Sequence, residues 1–521
     1  MPLSAEAQAL ARGVLCVGFD GSNIATAPLG ALRAFAPGAV ILFARNAGPS
    51  SDVRELVAAL RRLTSPAPLI LVDQEGGRVE RLRDGVAALP SAMAVGATGD
   101  AALARRLGEL LGRDLARLGI TVDLAPVADL ALRHDSRVIG TRAYGDEPER
   151  VAELAGAFAH GLECAGVAAA LKHFPGHGAT GDDSHVTLPH VTADEATLRA
   201  RDLVPFARAL ADASIVVTAH VVVDALDAQR PASLSRAIVT GLLRGELGFD
   251  GVVATDCLEM AAIAAGIGTV DAAVEALAAG ADLLLISHHL ELAQAAADAI
   301  VTAVDAGRLP LARLQEAHAR VRALRERLAS APATEQDVDE EAPLDAARRA
   351  VTAIAGDVRL RAGRPVTVIS FEGELADNAA RSGAAPRPVA DRPSLSAALR
   401  RRGWKSELMR VPLEPAGDDV DLLLEHVPAL GDREFVVVTR DAHLSPAQHR
   451  AVARILAAAP DALIVSAGSP FDARSWPDAR RVVCTYGDGA IAFEGCADVL
   501  SGRAPLRGTL PVRLSGTPAV R

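Results

Sequence analysis

Short runs of aliphatic and β-branched residues recur along the chain, and between them apolar side chains return at helical spacing. The runs are Gly13–Phe19, Gly38–Phe43, Leu69–Asp73, Thr121–Pro126, Val167–Phe174, Ile215–His220, Gly251–Asp256 and Asp282–Ser287. Amphipathic stretches such as Val53–Leu63, Ala101–Leu118 and Pro148–Ala165 separate them. Continuous apolar runs fit strands buried on both faces, and their alternation with helices fits a parallel sheet of βα units. Repeated in this way, the pattern predicts an α/β fold, a TIM-type (β/α)8 barrel; an open doubly wound sheet is the alternative the pattern leaves standing.

After a helix around Leu311–Leu328 comes Ala331–Leu344, APATEQDVDEEAPL, rich in acid and proline and without helical period, which reads as a linker. A second set of strands is expected at Val366–Phe371, Phe435–Arg440, Ala462–Ala467 and Val482–Tyr486, with helices at Ser394–Arg402 and Pro446–Ala459. The chain therefore divides into a barrel domain over 1–330, a linker over 331–346 and a smaller αβα sandwich over 347–521. No Gly-rich phosphate loop follows the first strand of the second set, so a nucleotide site is not expected there.

Composition narrows the classes. Half the residues are hydrophobic (50%), enough to form cores and to exclude a disordered or collagen-like chain. The net charge of −11 argues against a nucleic-acid-coating protein and a polybasic membrane binder. Cys16, Cys164, Cys257, Cys484 and Cys496 are odd in number, far apart and in no CxxC pair, so isolated thiols in a reducing compartment are expected. Met1–Arg12 lacks a basic segment followed by a long apolar one, and the apolar stretch Ile215–Val223 is interrupted by Thr218 and His220. A cytoplasmic protein without a membrane span is the expectation.

Polar residues gather where the predicted barrel strands end: Asn46, Asp73, Asp129, Lys172 with His173, His220, Asp256 and Ser287. In a barrel, those ends build the active site. The densest motif runs from Lys172 to His185, KHFPGHGATGDDSH. Its histidines and aspartates fit a metal site, a set of turn-capping side chains or a catalytic loop. The Pro-Gly interruption does not place His173 and His177 on one helix face as an HExxH site would. Asp183 and His185 can pair so that the carboxylate fixes the imidazole tautomer and raises its basicity. Asp256 ends the run Val252–Thr255; it fits a carboxylate nucleophile or a helix N-cap. In Val72–Val79 an acid at a strand end, Asp73, is followed by a Gly-Gly turn and Arg78; a carboxylate accepts hydrogen bonds from sugar hydroxyls, and an arginine holds a neighbouring carboxylate in place. Arg137 and Arg142 fit either substrate contacts or structural ion pairs.

Taken together, the Lys172–His185 loop, Asp256, the Asp73–Arg78 segment, Arg142 and the ILFARN stretch at Ile41–Asn46 resemble the β-N-acetylglucosaminidases of glycoside hydrolase family 3, the NagZ type. The resemblance implies a TIM-type barrel, in some members followed by an αβα sandwich, and a retaining two-step mechanism. It implies Asp256 as nucleophile, His185 as acid/base with Asp183 as its dyad partner, and Asp73, Arg142, Lys172 and His173 as holders of the terminal sugar. No cofactor and no metal are implied, and the partner is a carbohydrate. Gly508–Val512 resembles a segment near the end of two-domain members. Cys257 stands where relatives usually carry an acidic or small residue.

Side chains alternate along a strand, so adjacent Lys172 and His173 reach one cavity only where the backbone is irregular. His426, His443 and His449 fall in no motif and are expected at the surface. The resemblance points to exo-release of N-acetylglucosamine from cell-wall fragments or chitooligosaccharides; a phosphorylase of the same glycosides and a β-glucosidase are the alternatives. A non-catalytic sugar-binding module would have no use for both Asp256 and His185. Aromatic residues make up 3% of the chain, which suits a short pocket for one sugar better than a long cleft lined with stacked rings.

Overall fold

The computed structural model describes residues 5–180, 188–330, 338–373, 392–426 and 433–514. Eight parallel strands form the first sheet: β1 (Leu15–Val17), β2 (Ala39–Leu42), β3 (Leu69–Val72), β4 (Val122–Asp123), β5 (Ala168–Phe174), β6 (Ile215–Thr218), β7 (Val252–Thr255) and β8 (Leu284–Ile286). They lie side by side in chain order, and β8 pairs with β1 through Leu15–Leu284, Cys16–Leu285 and Val17–Ile286. The bridge Ala254–Leu283 joins β7 to the residue before β8 and completes the ring. This closure decides for the barrel over the open sheet. Inward-pointing Cys16, Ile41, Leu71, Ala170, Val217 and Ala254 fill the interior as one cluster, while the outer faces pack on the helices in a second, larger core.

Two of those helices show how the sequence sets their ends. In α1 (Ala101–Arg117), Asp100 caps the start by accepting the Leu103 N–H at 3.0 Å. In α2 (Pro148–Cys164), Glu147 accepts the Arg150 N–H at 2.8 Å, and Pro148 occupies the first turn, where no amide partner is needed.

Residues 342–350, placed by the sequence partly in a linker, form helix α3 (Ala342–Ala350); residues 331–337 lie outside the described residues. The second sheet has six strands: β9 (Thr352–Ala355), β10 (Val366–Glu372), β11 (Ser406–Pro412), β12 (Glu434–Thr439), β13 (Leu463–Ser466) and β14 (Arg481–Cys484), in the order β9-β14-β13-β12-β10-β11. Only β9 runs antiparallel to its neighbour. Helix α4 (Ala490–Leu500) packs against α3.

The barrel unit and the second unit share a small core in which Met93, Ala97 and Ile139 of the first meet Phe471, Tyr486 and Val512 of the second. The chain's end returns to the barrel: Thr509 N donates to Ala97 O at 3.0 Å, and Asp146 N donates to Pro511 O at 3.1 Å. A Cβ at Gly145 would lie 2.5 Å from Pro511 O, so this crossing requires glycine. The Gly508–Val512 segment is thus a strap across the barrel's α1–α2 side. His443 is not the surface residue the sequence led us to expect. Its side chain is 9% exposed, its Nδ1 lies 2.7 Å from Asp472 Oδ1, and its Nε2 lies 2.7 Å from His134 O on the barrel. His449 is exposed and stacks on Trp476.

Candidate active site

At the C-terminal ends of the barrel strands opens a cavity of about 740 Å³. Asp73 and Glu75, which follow β3, Arg142 in the loop after β4, Lys172 and His173 at the end of β5, and Asp256 after β7 all face it. Both Lys172 and His173 line it, and the backbone there is irregular: the register with β6 shifts between Lys172 and Phe174, and the Lys172–His173 peptide is cis.

Four of these side chains form a charge-balanced ionic cluster. Lys172 Nζ donates to Asp73 Oδ1 at 2.8 Å and lies 2.6 Å from Glu75 Oε1. Arg142 holds Glu75 bidentately, Nε to Oε2 at 2.8 Å and Nη2 to Oε1 at 2.7 Å, and anchors through Nη1 to Val138 O at 2.9 Å. Burial alone would raise the Glu75 carboxyl; Arg142 and Lys172 outweigh it and hold the group well below the usual range. Burial likewise opposes the Lys172 charge, and Asp73 with Glu75 outweighs it, raising the ammonium's pKa. Beneath them Asp123 is fully buried, accepting Gln74 N–H at 2.9 Å on Oδ1; Oδ2 has no partner among the described residues. Burial pushes this carboxyl well up, against the pull of Gln74 N–H and Lys172.

Asp129 organises the histidines. Its Oδ2 lies 2.6 Å from His173 Nδ1 and accepts the His173 N–H at 3.1 Å, and its Oδ1 accepts the His177 N–H at 2.6 Å. Burial would raise Asp129, but these contacts outweigh it and keep the carboxyl ionised. The Asp129 carboxylate places the His173 donor at Nδ1 and turns Nε2, 3.4 Å from Arg142 Nη2, to the cavity. Burial lowers His177 to about 4, against the Asp129 charge, so it is neutral and exchanges a bond with Thr180 Oγ1 at 2.7 Å. A Cβ on Gly178 would meet Leu130 O at 1.9 Å, which makes glycine obligatory where this loop crosses the strand end. Beyond Thr180 the loop leaves the described residues, and the predicted dyad Asp183 and His185 lies there.

Asp256 is half-buried; its N–H donates to Thr218 O at 3.0 Å, and Cys257 N–H donates to its Oδ1 at 2.7 Å. The next helix starts only at Ala261 after Met260, so Asp256 does not cap it. Behind the segment, His220 lies 2.8 Å from Ser233 Oγ and 3.0 Å from Cys257 O, fixing the turn.

Not every strand-end residue converges. Asn46 is buried and donates to Phe19 O and Gly21 O, each at 2.9 Å, a purely structural role. Arg78 donates to the carbonyls of Arg137, Val138 and Ile139, bracing the Arg142 loop, and Arg137 lines a different cavity between the two sheets. Glu75 is the residue whose role sequence reasoning missed. It stands in the motif already singled out, and its position two residues from Asp73 was the available signal. Glu259 and His288, also at the rim, carried no signal beyond residue type.

A family model, Glycosyl hydrolase family 3 N terminal domain, matches residues 26–324. A beta-hexosaminidase of Pseudomonas aeruginosa (strain LESB58) is 41% identical over 291 residues, 56% of this chain and 86% of the relative. One from Chromobacterium violaceum is 42% identical over 295 residues, 55% and 82% of the respective chains. Both matches span barrel-sized lengths. A solved glycoside hydrolase family 3 beta-N-acetylglucosaminidase from Paenibacillus sp. str. FPU-7 superposes over 99% of this chain and 100% of its own, with a TM-score of 0.89 and 34% identity. With more than half of the chain matched and a closed barrel carrying its acids, lysine and arginine at the strand ends, the protein belongs to glycosyl hydrolase family 3.

Proposed function

We propose that this glycoside hydrolase is a retaining, exo-acting β-N-acetylglucosaminidase. The observation that carries the reading is Asp256 facing the balanced Asp73–Lys172–Glu75–Arg142 cluster across one cavity. The relatives' names, beta-hexosaminidase and beta-N-acetylglucosaminidase, support the same sugar. Asp73 accepts bonds from the hydroxyls of the terminal residue, and Lys172, Arg142 and the His173 ring complete the grip. Asp256 attacks the anomeric carbon while His185, oriented by Asp183, gives its proton to the departing glycosidic oxygen. In the second step His185 takes a proton from water, the hydroxide oxygen bonds to the anomeric carbon, and the Asp256 ester bond breaks. An imidazole serves both steps because it titrates near neutrality.

In this reading the barrel, 1–330, performs the chemistry and residues 347–521 brace its α1–α2 side and the Arg142 loop. Cell-wall fragments, as in peptidoglycan recycling, or chitooligosaccharides are the proposed substrates, acted on in the cytoplasm. Among the described residues no helix is long and apolar enough to cross a membrane. The test compares an aryl β-N-acetylglucosaminide with the matching glucoside. The acetamido sugar is expected to be preferred by at least about a hundredfold in kcat/KM, equivalent to about 2.7 kcal/mol. Equal rates, or product appearing as sugar 1-phosphate only when phosphate is added, would overturn the assignment.

A further inference from the structure

At the rim of the same cavity, on the side away from the ionic cluster, a thiol, a carboxylate and an imidazole converge. Cys257, Glu259 and His288 each offer one ligand atom, and these atoms lie within 4.8 Å of one another. All three line the cavity and are reached from it. We propose that Cys257, Glu259 and His288 form a binding site for a thiophilic divalent cation of the zinc or cadmium class, and that an ion held there closes the cavity to sugar.

The distances fit such an ion. Cys257 Sγ and Glu259 Oε2 are 3.8 Å apart. Sulfur at about 2.3 Å and oxygen at about 2.1 Å from a tetrahedral zinc would stand about 3.6 Å from each other. Drawing in the exposed His288 ring supplies the third ligand, and the fourth position opens toward the cavity, where water completes the shell. The donor set of thiolate, carboxylate and imidazole suits zinc or cadmium and not magnesium or calcium, which take oxygen alone. Binding replaces the Cys257 S–H proton, which leaves to solvent. The thiolate and carboxylate then match the charge of the ion, and no redox change occurs.

The carboxylate is already oriented for this. Glu259 Oε2 accepts the His288 N–H at 2.7 Å, and Oε1 lies 2.7 Å from His289 Nδ1, the outer contacts that fix a ligand in place. Cys257 Sγ lies 2.9 Å from Ser287 Oγ, which fixes the sulfur in place. Arg45 Nη1 lies 3.4 Å from His288 Nδ1 beside the cluster, and Asp20 pairs with that guanidinium at 3.0 Å. The consequence for turnover follows from position. Cys257 is bonded through its N–H to Asp256 Oδ1, so an ion on its sulfur stands beside the carboxylate proposed to attack the sugar. The closure half of the proposal rests on that reading; the binding half does not.

Cadmium alone, titrated into the full chain, should give a cadmium–thiolate ultraviolet band that saturates at one ion per chain, and zinc should displace it. Cys257→Ser should remove the band. His288→Ala, at an exposed ring whose loss spares the core, should weaken the apparent affinity at least about tenfold, as should Glu259→Gln. Cys164→Ser should leave the titration unchanged. Zinc should abolish aryl glycoside turnover over the range in which it binds. A band that survives in Cys257→Ser, or wild-type affinity in both His288→Ala and Glu259→Gln, would overturn the site. Stoichiometric binding with turnover intact would overturn the closure. A chain inactive on the glycoside but binding cadmium as described would fault the proposed function and leave the site standing.

Discussion

Replacing Glu75 by Gln removes one negative charge from the cluster while leaving its shape. In the native arrangement Glu75 receives Lys172 at 2.6 Å and two Arg142 bonds at 2.7 and 2.8 Å, with a side chain only 6% exposed. Without its charge, Lys172, Arg142 and Arg81, 3.8 Å from Asp73, surround the single Asp73 carboxylate. Removing one partner of a buried pair costs about 3–5 kcal/mol. Lys172 keeps Asp73 and Arg142 keeps Val138 O, so the lower end, about 3 kcal/mol, is expected. For a large domain this lowers the barrel's Tm by about 6 °C, at about 2 °C per kcal/mol. Far-UV circular dichroism reads the barrel transition. Tryptophan fluorescence reads only the second unit, because Trp404 and Trp476 both lie there, and should move little. The pH dependence has a fixed sign. Glu75 is held below its unfolded value in the fold, so its contribution is complete above about pH 4.3 and fades as pH falls toward the folded value. The gap between wild type and Glu75→Gln should therefore be constant from about pH 5 to about pH 8 and close only in acid. A shift below about 1 °C, or a gap that grows in acid, would refute the reasoning.

Three further outcomes follow from the same contacts. Asp129→Asn should cost about 2 kcal/mol of barrel stability, read by thermal unfolding, and lower kcat more than it raises KM, because it frees the His173 tautomer. Burial pushes the Cys257 thiol up to about 12, so in the metal-free protein at pH 8 iodoacetamide should label it on the order of a hundredfold more slowly than a small free thiol, measured by peptide mass spectrometry. Burial disfavours the charged His443, but Asp472 outweighs it and raises its pKa in the fold. That contribution is complete below about pH 6.5 and is lost as pH rises through the folded value. The stability lost in His443→Gln, followed by tryptophan fluorescence, should therefore be larger at about pH 6 than at about pH 8.5.

The eight barrel strands were legible because each is a continuous apolar run, the signature of a strand covered on both faces. In the second sheet, the strands that sequence reasoning passed over lie at its two edges. Ser406–Pro412 buries only Ser406 and Val411 and contains Glu407, Met409 and Arg410, so it lacks a buried run. Thr352–Ala355 is short and antiparallel. At the site, Asp73, Arg142, Lys172, His173 and Asp256 could be placed because barrel topology sends strand ends to one mouth. Which acid pairs with which base depends on distances between residues far apart in the chain. Glu75 as hub of the cluster, Asp129 as the carboxylate behind His173, and His443 as a bridge to His134 O were therefore readable only in three dimensions.

The central claim is that Asp256 forms a covalent bond to the sugar. A slow glycosylating analogue of N-acetylglucosamine with a good leaving group, followed by proteolysis and mass spectrometry, tests it directly. The account predicts one glycosyl adduct per chain on the peptide containing Asp256, absent in Asp256→Asn together with turnover. An adduct on another carboxylate, or undiminished turnover in Asp256→Asn, would contradict it.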